Sequence, residues 1–132
     1  MLQQTQVKTV IPYFNNFVKK VPNLKALSKS NQKKVLKLWE GLGYYTRAKN
    51  LHKTSKILIK KYNGQVPESF AKLKELPGIG DYTANVLLAL IYNQPRVALD
   101  GNVKRVLSRL DNINSRLDNI NTEETVNLFR TK

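Results

Sequence analysis

The short stretch Leu76-Pro77-Gly78-Ile79-Gly80 contains the residue types and spacing best suited to binding an anion. Pro77 and Gly78 end one predicted helix, and the apolar run after Gly80 predicts another. The first N–H groups of a helix have no partner within it, and the helix dipole adds partial positive charge there. Two glycines let an oxyanion approach this backbone closely. The turn formed by Pro77, Gly78, Ile79 and Gly80 is therefore predicted to bind a phosphate group.

A Gly-x-Gly pattern alone is equally compatible with an ordinary corner between two helices that binds nothing. Here Pro77 precedes the pattern, Thr83-Ala84 follows it, and the surrounding chain is strongly basic. These features favour the phosphate-binding interpretation over the plain corner.

The chain carries 23 Lys and Arg residues against 9 Asp and Glu, which gives a net charge of +14. Residues 1–110 hold 20 of the basic and 5 of the acidic residues. Such a charge favours a polyanionic partner, although by itself it leaves DNA, RNA and an anionic membrane surface open. A lysine-rich proteome, typical of an AT-rich genome, would account for part of the excess.

The sequence contains no cysteine and no apolar run of about 20 residues. Disulfides, thiolate zinc sites and cysteine-bound iron–sulfur clusters are therefore excluded within these 132 residues, and no membrane span is expected. Residues 1–5 match neither a signal peptide nor a transit peptide. These features fit a cytoplasmic protein.

Hydrophobic periodicity predicts an all-α fold of about seven short helices around one core. An amphipathic helix is predicted over residues 2–20, interrupted or kinked at Pro12. Asn23 and Ser30 are predicted to cap the next two helices. Residues 46–62 are predicted to form a basic helix with Arg47 and several lysines facing outward. The phosphate-binding turn would join two helices in a hairpin at about residues 69–92.

Two residues that often mark functional sites are predicted to be structural instead. Trp39 belongs to the buried face of its helix, so it is assigned to the core. His52 is the only histidine, and no Cys or carboxylate lies near it in sequence. We therefore expect a core or surface role for it rather than a metal or catalytic one.

The heptad at residues 108–114 repeats without change at residues 115–121. Two copies are too few for a coiled coil, and Asn is a weak helix former. A duplicated or misassembled end is an equally good explanation. Residues 111–132 are treated as an irregular or helical tail with no assigned function.

Four segments together resemble the adenine DNA glycosylases, a branch of the helix-hairpin-helix superfamily of base-excision enzymes. They are Met1-Leu2-Gln3-Gln4-Thr5-Gln6-Val7, residues 39–52 around Gly41-Leu42-Gly43-Tyr44-Tyr45, Leu76-Pro77-Gly78-Ile79-Gly80, and Leu99-Asp100-Gly101-Asn102-Val103-Lys104-Arg105-Val106. The hairpin alone would indicate only the superfamily, and the first two segments narrow it to the adenine-specific branch. The resemblance implies a six-helix barrel-type domain over residues 1–110, truncated at both ends. It also implies removal of adenine mispaired with 8-oxoguanine or guanine from double-stranded DNA.

An enzyme that acts on a base inside a duplex must first extrude it, and other groups must fill the gap. The resemblance implies that Gln3, Gln4 and Tyr44 enter the base stack, with Tyr44 beside 8-oxoguanine. Tyr45 is expected to pack in the core. Asp100 is implied to stabilise the positive charge that develops on the sugar as the N-glycosidic bond breaks. The alternative is that Asp100 merely caps the following helix, a task for which Asn102 is also available; the two roles are compatible.

Tyr82 occupies the position where related bifunctional glycosylases carry a lysine that attacks the sugar. A phenol forms no Schiff base, so the resemblance implies a monofunctional glycosylase with Tyr82 near the reacting sugar. Lys104, one helical turn past Asp100, is expected to contact a DNA phosphate.

The resemblance also implies a general acid, which is a glutamate located before the Met1–Gln4 motif. Glu40, Glu68 and Glu75 do not occupy that position. The chain accordingly looks like the interior of a longer enzyme and is expected to be inactive or impaired alone. Longer relatives are implied to carry a four-cysteine 4Fe–4S segment, whereas no metal or cofactor is expected within this chain. We expect a monomer on double-stranded DNA in the bacterial cytoplasm, associated with the nucleoid and not with a membrane. The alternative function is a helix-hairpin-helix module that binds duplex DNA without chemistry.

Overall fold

A computed structural model describes residues 1–110, which form seven α-helices and no strand. The helices are α1 (Val7–Lys20), α2 (Leu24–Lys29), α3 (Gln32–Leu38), α4 (Tyr45–Tyr62), α5 (Phe70–Lys74), α6 (Asp81–Tyr92) and α7 (Gly101–Leu110). The predicted all-α class is thereby confirmed for these residues. The predicted tail at 111–132 lies outside them. None of the seven helices is long and apolar enough to cross a membrane.

The described residues fall into two compact units. The first consists of Met1–Pro67 and Leu76–Gly78 and contains α1 to α4. Within it, α4 packs against α2 and α3, and α1 packs against α3. The assignment of residues 1–110 to a single glycosylase core stays a prediction.

The core of the first unit is built around Trp39, which is 1% exposed. Phe17 meets its ring edge-on, with the ring centroids 6.2 Å apart. The remaining members of this core are Val10, Val21, Leu27, Val35, Leu42 and Ala48. Truncating a buried aromatic of this size to alanine typically costs about 3–5 kcal/mol. The assignment of Trp39 to the core is confirmed.

The first helix begins later than predicted. The segment before it turns back on itself, since the Thr5 N–H donates to the Leu2 carbonyl at 3.4 Å and Gln4 has a φ of +57°. A left-handed residue cannot continue an α-helix, so the predicted start at residue 2 is wrong. The helix runs from Val7 and continues through Pro12 as one element.

The apolar stripe of α1 is wider than the surface that this unit buries. Val10 and Phe17 are buried on one side of the helix. The neighbouring part of the same stripe remains exposed, and it consists of four apolar residues at helical spacing, namely Val7, Ile11, Phe14 and Val18.

The caps of α2 and α3 are both asparagines. Asn23 accepts from the Ala26 N–H at 2.8 Å, as predicted, and Asn31 accepts from the Lys33 N–H at 2.9 Å. The prediction that Ser30 caps α3 is wrong. Its hydroxyl donates instead to the Ala26 carbonyl at 2.8 Å, within the last turn of α2.

His52 joins α4 to the end of α2. The side chain is 2% exposed, and its Nε2 lies 2.9 Å from the Ser30 carbonyl oxygen. Because a carbonyl only accepts, Nε2 carries the hydrogen in this contact. The structural role predicted for His52 is confirmed as a core role.

The second unit consists of Glu68–Glu75 and the described residues from Ile79 onward. It contains α5, α6 and α7, and α5 packs against α6. Ser69 caps α5 by accepting from the Lys72 N–H at 3.5 Å. Leu73, Ala84 and Leu88 are buried, so α5 and α6 each have a core-facing side.

Candidate nucleic-acid interface

Gln4 and Tyr44 share an uncommon backbone conformation. Their φ angles are +57° and +49°, and the Tyr44 side chain is 63% exposed. The only other non-glycine residues with positive φ within the described chain are Asn63 and Asn93, both at helix C-termini, where this conformation is common. Gln4 and Tyr44 instead lie before helices, where the left-handed conformation costs about 1–2 kcal/mol per residue. Such strain is typical of functional positions.

Tyr45 does not pack in the core, so that prediction is wrong. Its ring is 42% exposed, and its hydroxyl accepts from the Gly41 N–H at 3.3 Å. As the first residue of α4, Tyr45 lies on the helix surface beside the glycine loop. Both tyrosines of the pair are therefore available to a ligand.

Arg47 lies between the N-terminal turn and the Tyr44 loop. Its Nη1 donates to the carbonyls of Met1, at 2.9 Å, and of Gln3. Its Nη2 donates to Thr5 Oγ1 at 3.2 Å and to the Gly43 carbonyl at 3.5 Å. The prediction that Arg47 simply faces outward is wrong, since its guanidinium is half-buried among these acceptors.

Two aromatic rings complete the surroundings of Arg47. Its guanidinium carbon lies 5.2 Å from the Tyr44 ring centroid and 5.6 Å from that of Trp39. Cations within about 6 Å of a ring face are attracted to it. The Trp39 Nε1–H also donates to the Gly43 carbonyl at 3.1 Å. Burial, and next the positive charge of Arg47, lower the pKa of the Met1 amino group.

The first half of the hairpin turn is fixed against α4. The Pro77 carbonyl accepts from Thr54 Oγ1 at 2.9 Å. Gly78 has a φ of +79°, and a Cβ added there would lie 2.9 Å from the Cβ of Asn50. Gly78 is thus required by its backbone conformation and by a close approach to Asn50.

The second half of the turn is open where the predicted ligand would bind. Gly80 has a φ of −90°, and a Cβ added there would meet no atom within 4 Å. Gly80 is the N-cap of α6 and has no side chain to bond the first-turn N–H groups. Ile79 beside it is half-buried. Of the two glycines, Gly80 leaves room for an anion at the helix N-terminus.

A carboxylate lies at the same helix N-terminus. Asp81 is the first residue of α6, and its side chain forms an ion pair with Lys74. Both side chains are substantially exposed, so water and salt weaken the pair. Tyr82 follows in the same turn and is 47% exposed.

Asp100 caps α7. Its Oδ1 accepts from the N–H of Asn102 at 2.9 Å and of Val103 at 2.7 Å. The alternative of a helix cap is therefore correct for Asp100, and Asn102 accepts instead from Arg105 at 3.1 Å. Lys104, whose N–H donates to the Asp100 carbonyl at 3.0 Å, is half-buried one turn along.

The structure brings the sequence-predicted residues into separate groups. Gln3, Gln4 and Tyr44 come together around Arg47, which sequence reasoning missed as a site residue. Arg47 lies in the first turn of α4, three residues after Tyr44. This spacing is the signal in the sequence that could have indicated a contact between Arg47 and the Tyr44 loop. Pro77 and Gly78 lie against α4, Gly80 lies at the N-terminus of α6, and Asp100 and Lys104 lie at the start of α7.

No group of three or more His, Cys, Asp or Glu side chains within residues 1–110 is placed to hold a metal ion. The full sequence has no cysteine, so its residues do not fit a cysteine-bound 4Fe–4S cluster.

The family model described as HhH-GPD superfamily base excision DNA repair protein matches residues 1–131. Over 114 residues the chain is 55% identical to the adenine DNA glycosylase of Buchnera aphidicola subsp. Baizongia pistaciae, covering 86% of this chain and 32% of the relative. It is 40% identical over 111 residues to the human adenine DNA glycosylase, covering 83% of this chain and 20% of the relative. The chain thus spans at most about a third of the length of these relatives.

Solved structures give the same fold. A non-covalent endonuclease III–DNA complex matches with a TM-score of 0.76 and 28% identity, covering 86% of this chain and 55% of that protein. A thermostable thymine-DNA glycosylase matches with a TM-score of 0.81 and 24% identity, covering 98% of this chain and 60% of that protein. The predicted glycosylase fold class is therefore confirmed. With a family model that matches nearly its whole length, this chain belongs to the HhH-GPD superfamily of base excision DNA repair proteins.

Proposed function

We propose that the protein from which this chain comes is a monofunctional adenine DNA glycosylase. It would hydrolyse the N-glycosidic bond of adenine paired with 8-oxoguanine or guanine in double-stranded DNA. The observation that carries this proposal is the high identity to a bacterial adenine DNA glycosylase over most of the chain. The proposal includes a monomeric protein that acts on chromosomal DNA in the bacterial cytoplasm.

The exposure of Gln4 and Tyr44 supports their proposed role in the base stack. A flat ring held away from the core on a glycine loop can enter the space left by an extruded base. Stacking of one base on an aromatic side chain is worth about 1–3 kcal/mol. Gln3 and Gln4, on the turn next to the Tyr44 loop, would contact the DNA strand beside the Tyr44 ring.

The open N-terminus of α6 supports a DNA phosphate site on Ile79 and Gly80. Pro77 and Gly78, which their contacts with Thr54 and Asn50 hold in place, are proposed to contact the DNA backbone as well. Lys104 would add a phosphate contact at the start of α7. These groups bind backbone and carry no sequence preference, as expected of an enzyme that searches DNA for a lesion.

In the proposed reaction the bond between the sugar C1′ and adenine breaks, water adds its oxygen to C1′, and the base leaves with a proton. Asp100 would stabilise the positive charge on the sugar. Both helix N–H bonds end on Oδ1, so Oδ2 is the oxygen that would face the sugar. Tyr82, near the sugar, would provide no amine for strand cleavage.

A second function, duplex binding without chemistry, is favoured for the 132-residue polypeptide by itself. None of its glutamates matches the position of the expected general acid. General acid–base catalysis contributes about 10²–10⁴-fold, and adenine is a poor leaving group.

A single-turnover cleavage assay separates the two functions. The chain is mixed in excess with a duplex that holds one adenine opposite 8-oxoguanine, and strand breaks are measured with and without alkali. Breaks that appear only after alkali would establish a monofunctional glycosylase. Tight binding without breaks would establish the binding function for this chain. Equal affinity for lesion-containing and undamaged duplex would contradict the adenine-glycosylase proposal.

A further inference from the structure

We propose that Arg47 is a positioning residue that holds Gln4 and Tyr44 in their left-handed conformations and thereby sets lesion recognition. The inference rests on the proposed role of these two residues in the base stack. It assigns to one side chain the alignment of two separate loops.

The hydrogen bonds of Arg47 fall at related places in the two loops. One recipient is the carbonyl of Gln3, directly before Gln4. Another is the carbonyl of Gly43, directly before Tyr44. The orientation of a carbonyl fixes the peptide plane that leads into the next residue, so each bond restrains the φ angle of a strained residue.

Further contacts strengthen the restraint on each loop. On the N-terminal side, Arg47 also donates to the Met1 carbonyl and to Thr5 Oγ1. On the other side, its guanidinium lies 5.2 Å from the Tyr44 ring, and the Trp39 indole donates to the same Gly43 carbonyl. Trp39 is buried, so the restraint is anchored in the core.

The geometry suits arginine and excludes lysine. A planar guanidinium presents five donors in a fixed fork, and the contacts here go to four acceptors in two directions. A lysine ammonium has the same charge on a flexible stem but cannot reach both loops with a fixed geometry. The Arg47→Lys variant therefore removes the restraint and keeps the charge.

The alternative is that Arg47 contacts a DNA phosphate directly. Its nitrogens Nη1 and Nη2 already bond protein oxygens, and its Nε is buried without a hydrogen-bond partner among the described residues. A residue arranged in this way acts on DNA through the loops that it holds.

The test measures equilibrium binding by fluorescence anisotropy to two duplexes, one with adenine opposite 8-oxoguanine and one undamaged. In Arg47→Lys we expect the preference for the lesion duplex to fall about tenfold, while affinity for undamaged duplex stays within about twofold. Adding Tyr44→Ala to Arg47→Lys should cause little further loss, because both changes disable the same ring. The control Lys53→Met removes one exposed charge from the same helix and should weaken both duplexes equally.

Equal weakening of both duplexes by Arg47→Lys would overturn the proposal, because it would indicate direct phosphate contact. An unchanged preference, or additive losses in the double variant, would overturn it as well.

Amide hydrogen exchange tests the same inference without DNA. In Arg47→Lys, peptides covering residues 2–5 and 42–46 should exchange about tenfold faster, and those from α2 should not change. Faster exchange everywhere, or in neither loop, would overturn the positioning role. If the unmodified chain shows no lesion preference, the proposed function fails and this exchange measurement alone decides the role of Arg47.

Discussion

The chain contains two glycine turns that each lead into a helix, and they are held in opposite ways. In the turn before α4, side chains hold the backbone: Arg47 and Trp39 bond the Gly43 carbonyl, and the Tyr44 side chain is displayed. In the turn before α6, the backbone itself packs against α4: Thr54 donates to the Pro77 carbonyl, and Gly78 closely approaches Asn50. The first arrangement presents a ring, and the second leaves backbone N–H groups uncovered at Gly80. We accordingly propose base recognition for the first glycine turn and phosphate binding for the second.

The largest expected effect is a loss of stability at the turn before α6. Gly78→Ala places a Cβ 2.9 Å from the Asn50 Cβ and imposes a positive φ on alanine. Together these should lower the free energy of unfolding by about 2–3 kcal/mol. Urea denaturation followed by Trp39 fluorescence measures it. Gly80→Ala is the matched control, since its Cβ meets open space, and it should cost well under half as much. Equal losses in the two variants would contradict the distinction between the glycines.

The displayed ring is tested by Tyr44→Ala. Loss of a stacking group should reduce the preference for a lesion duplex by at least about tenfold. Affinity for undamaged duplex should change little, because no charge is removed. Anisotropy titrations on both duplexes provide the measurement. A parallel loss on both would show that the ring contributes general affinity instead.

A smaller effect is expected at the open N-terminus of α6, where one substitution should weaken DNA binding and stabilise the fold. Gly80→Asp puts a carboxylate where a phosphate would bind, so affinity for both duplexes should fall about fivefold. The same carboxylate caps α6 and interacts with its dipole, which should stabilise the fold by about 0.5 kcal/mol. Gly80→Asn, of equal size and no charge, is the control. Binding and stability that move together would argue against a phosphate site here.

The smallest effect is expected for Asp81→Asn. This change removes a negative charge from the first turn of α6, beside the proposed phosphate. Affinity for any duplex should rise about twofold, with a steeper dependence on salt. The exposed ion pair with Lys74 contributes little, so the stability should fall by less than about 1 kcal/mol. Titrations at several salt concentrations decide the sign, and weaker binding would refute the placement of the phosphate.

The predictable parts of the structure depended on local chemistry. The order of helices followed from periodicity, and the cap at Asn23 followed from a side chain that bonds an N–H group three residues ahead. The choice between Ser30 and Asn31 as the cap of α3 could not be predicted in this way, because both residue types are good caps. The Ser30 hydroxyl bonds the Ala26 carbonyl instead, and Asn31 forms the cap.

The errors arose where distant parts of the chain meet. The start of α1 depends on the turn at Gln4, and within that turn the Gln3 carbonyl accepts a hydrogen bond from Arg47, 44 positions away in sequence. The exposure of Tyr45 and the half-burial of Arg47 have the same origin, since periodicity assigns a helical face but not its neighbours. Periodicity likewise predicted one apolar stripe along α1, but it could not show that the first unit buries only part of that stripe.

The left-handed conformation of Tyr44 has a consequence for the adaptation of this protein to heat. Glycine and asparagine adopt that conformation at far lower cost than tyrosine. A search for thermostable variants should therefore recover Tyr44→Gly or Tyr44→Asn, each more stable by about 1 kcal/mol. Those variants would be the ones that no longer discriminate damaged from intact DNA. Selection for stability alone would thus remove the ring first, and its persistence at this position would record selection for recognition.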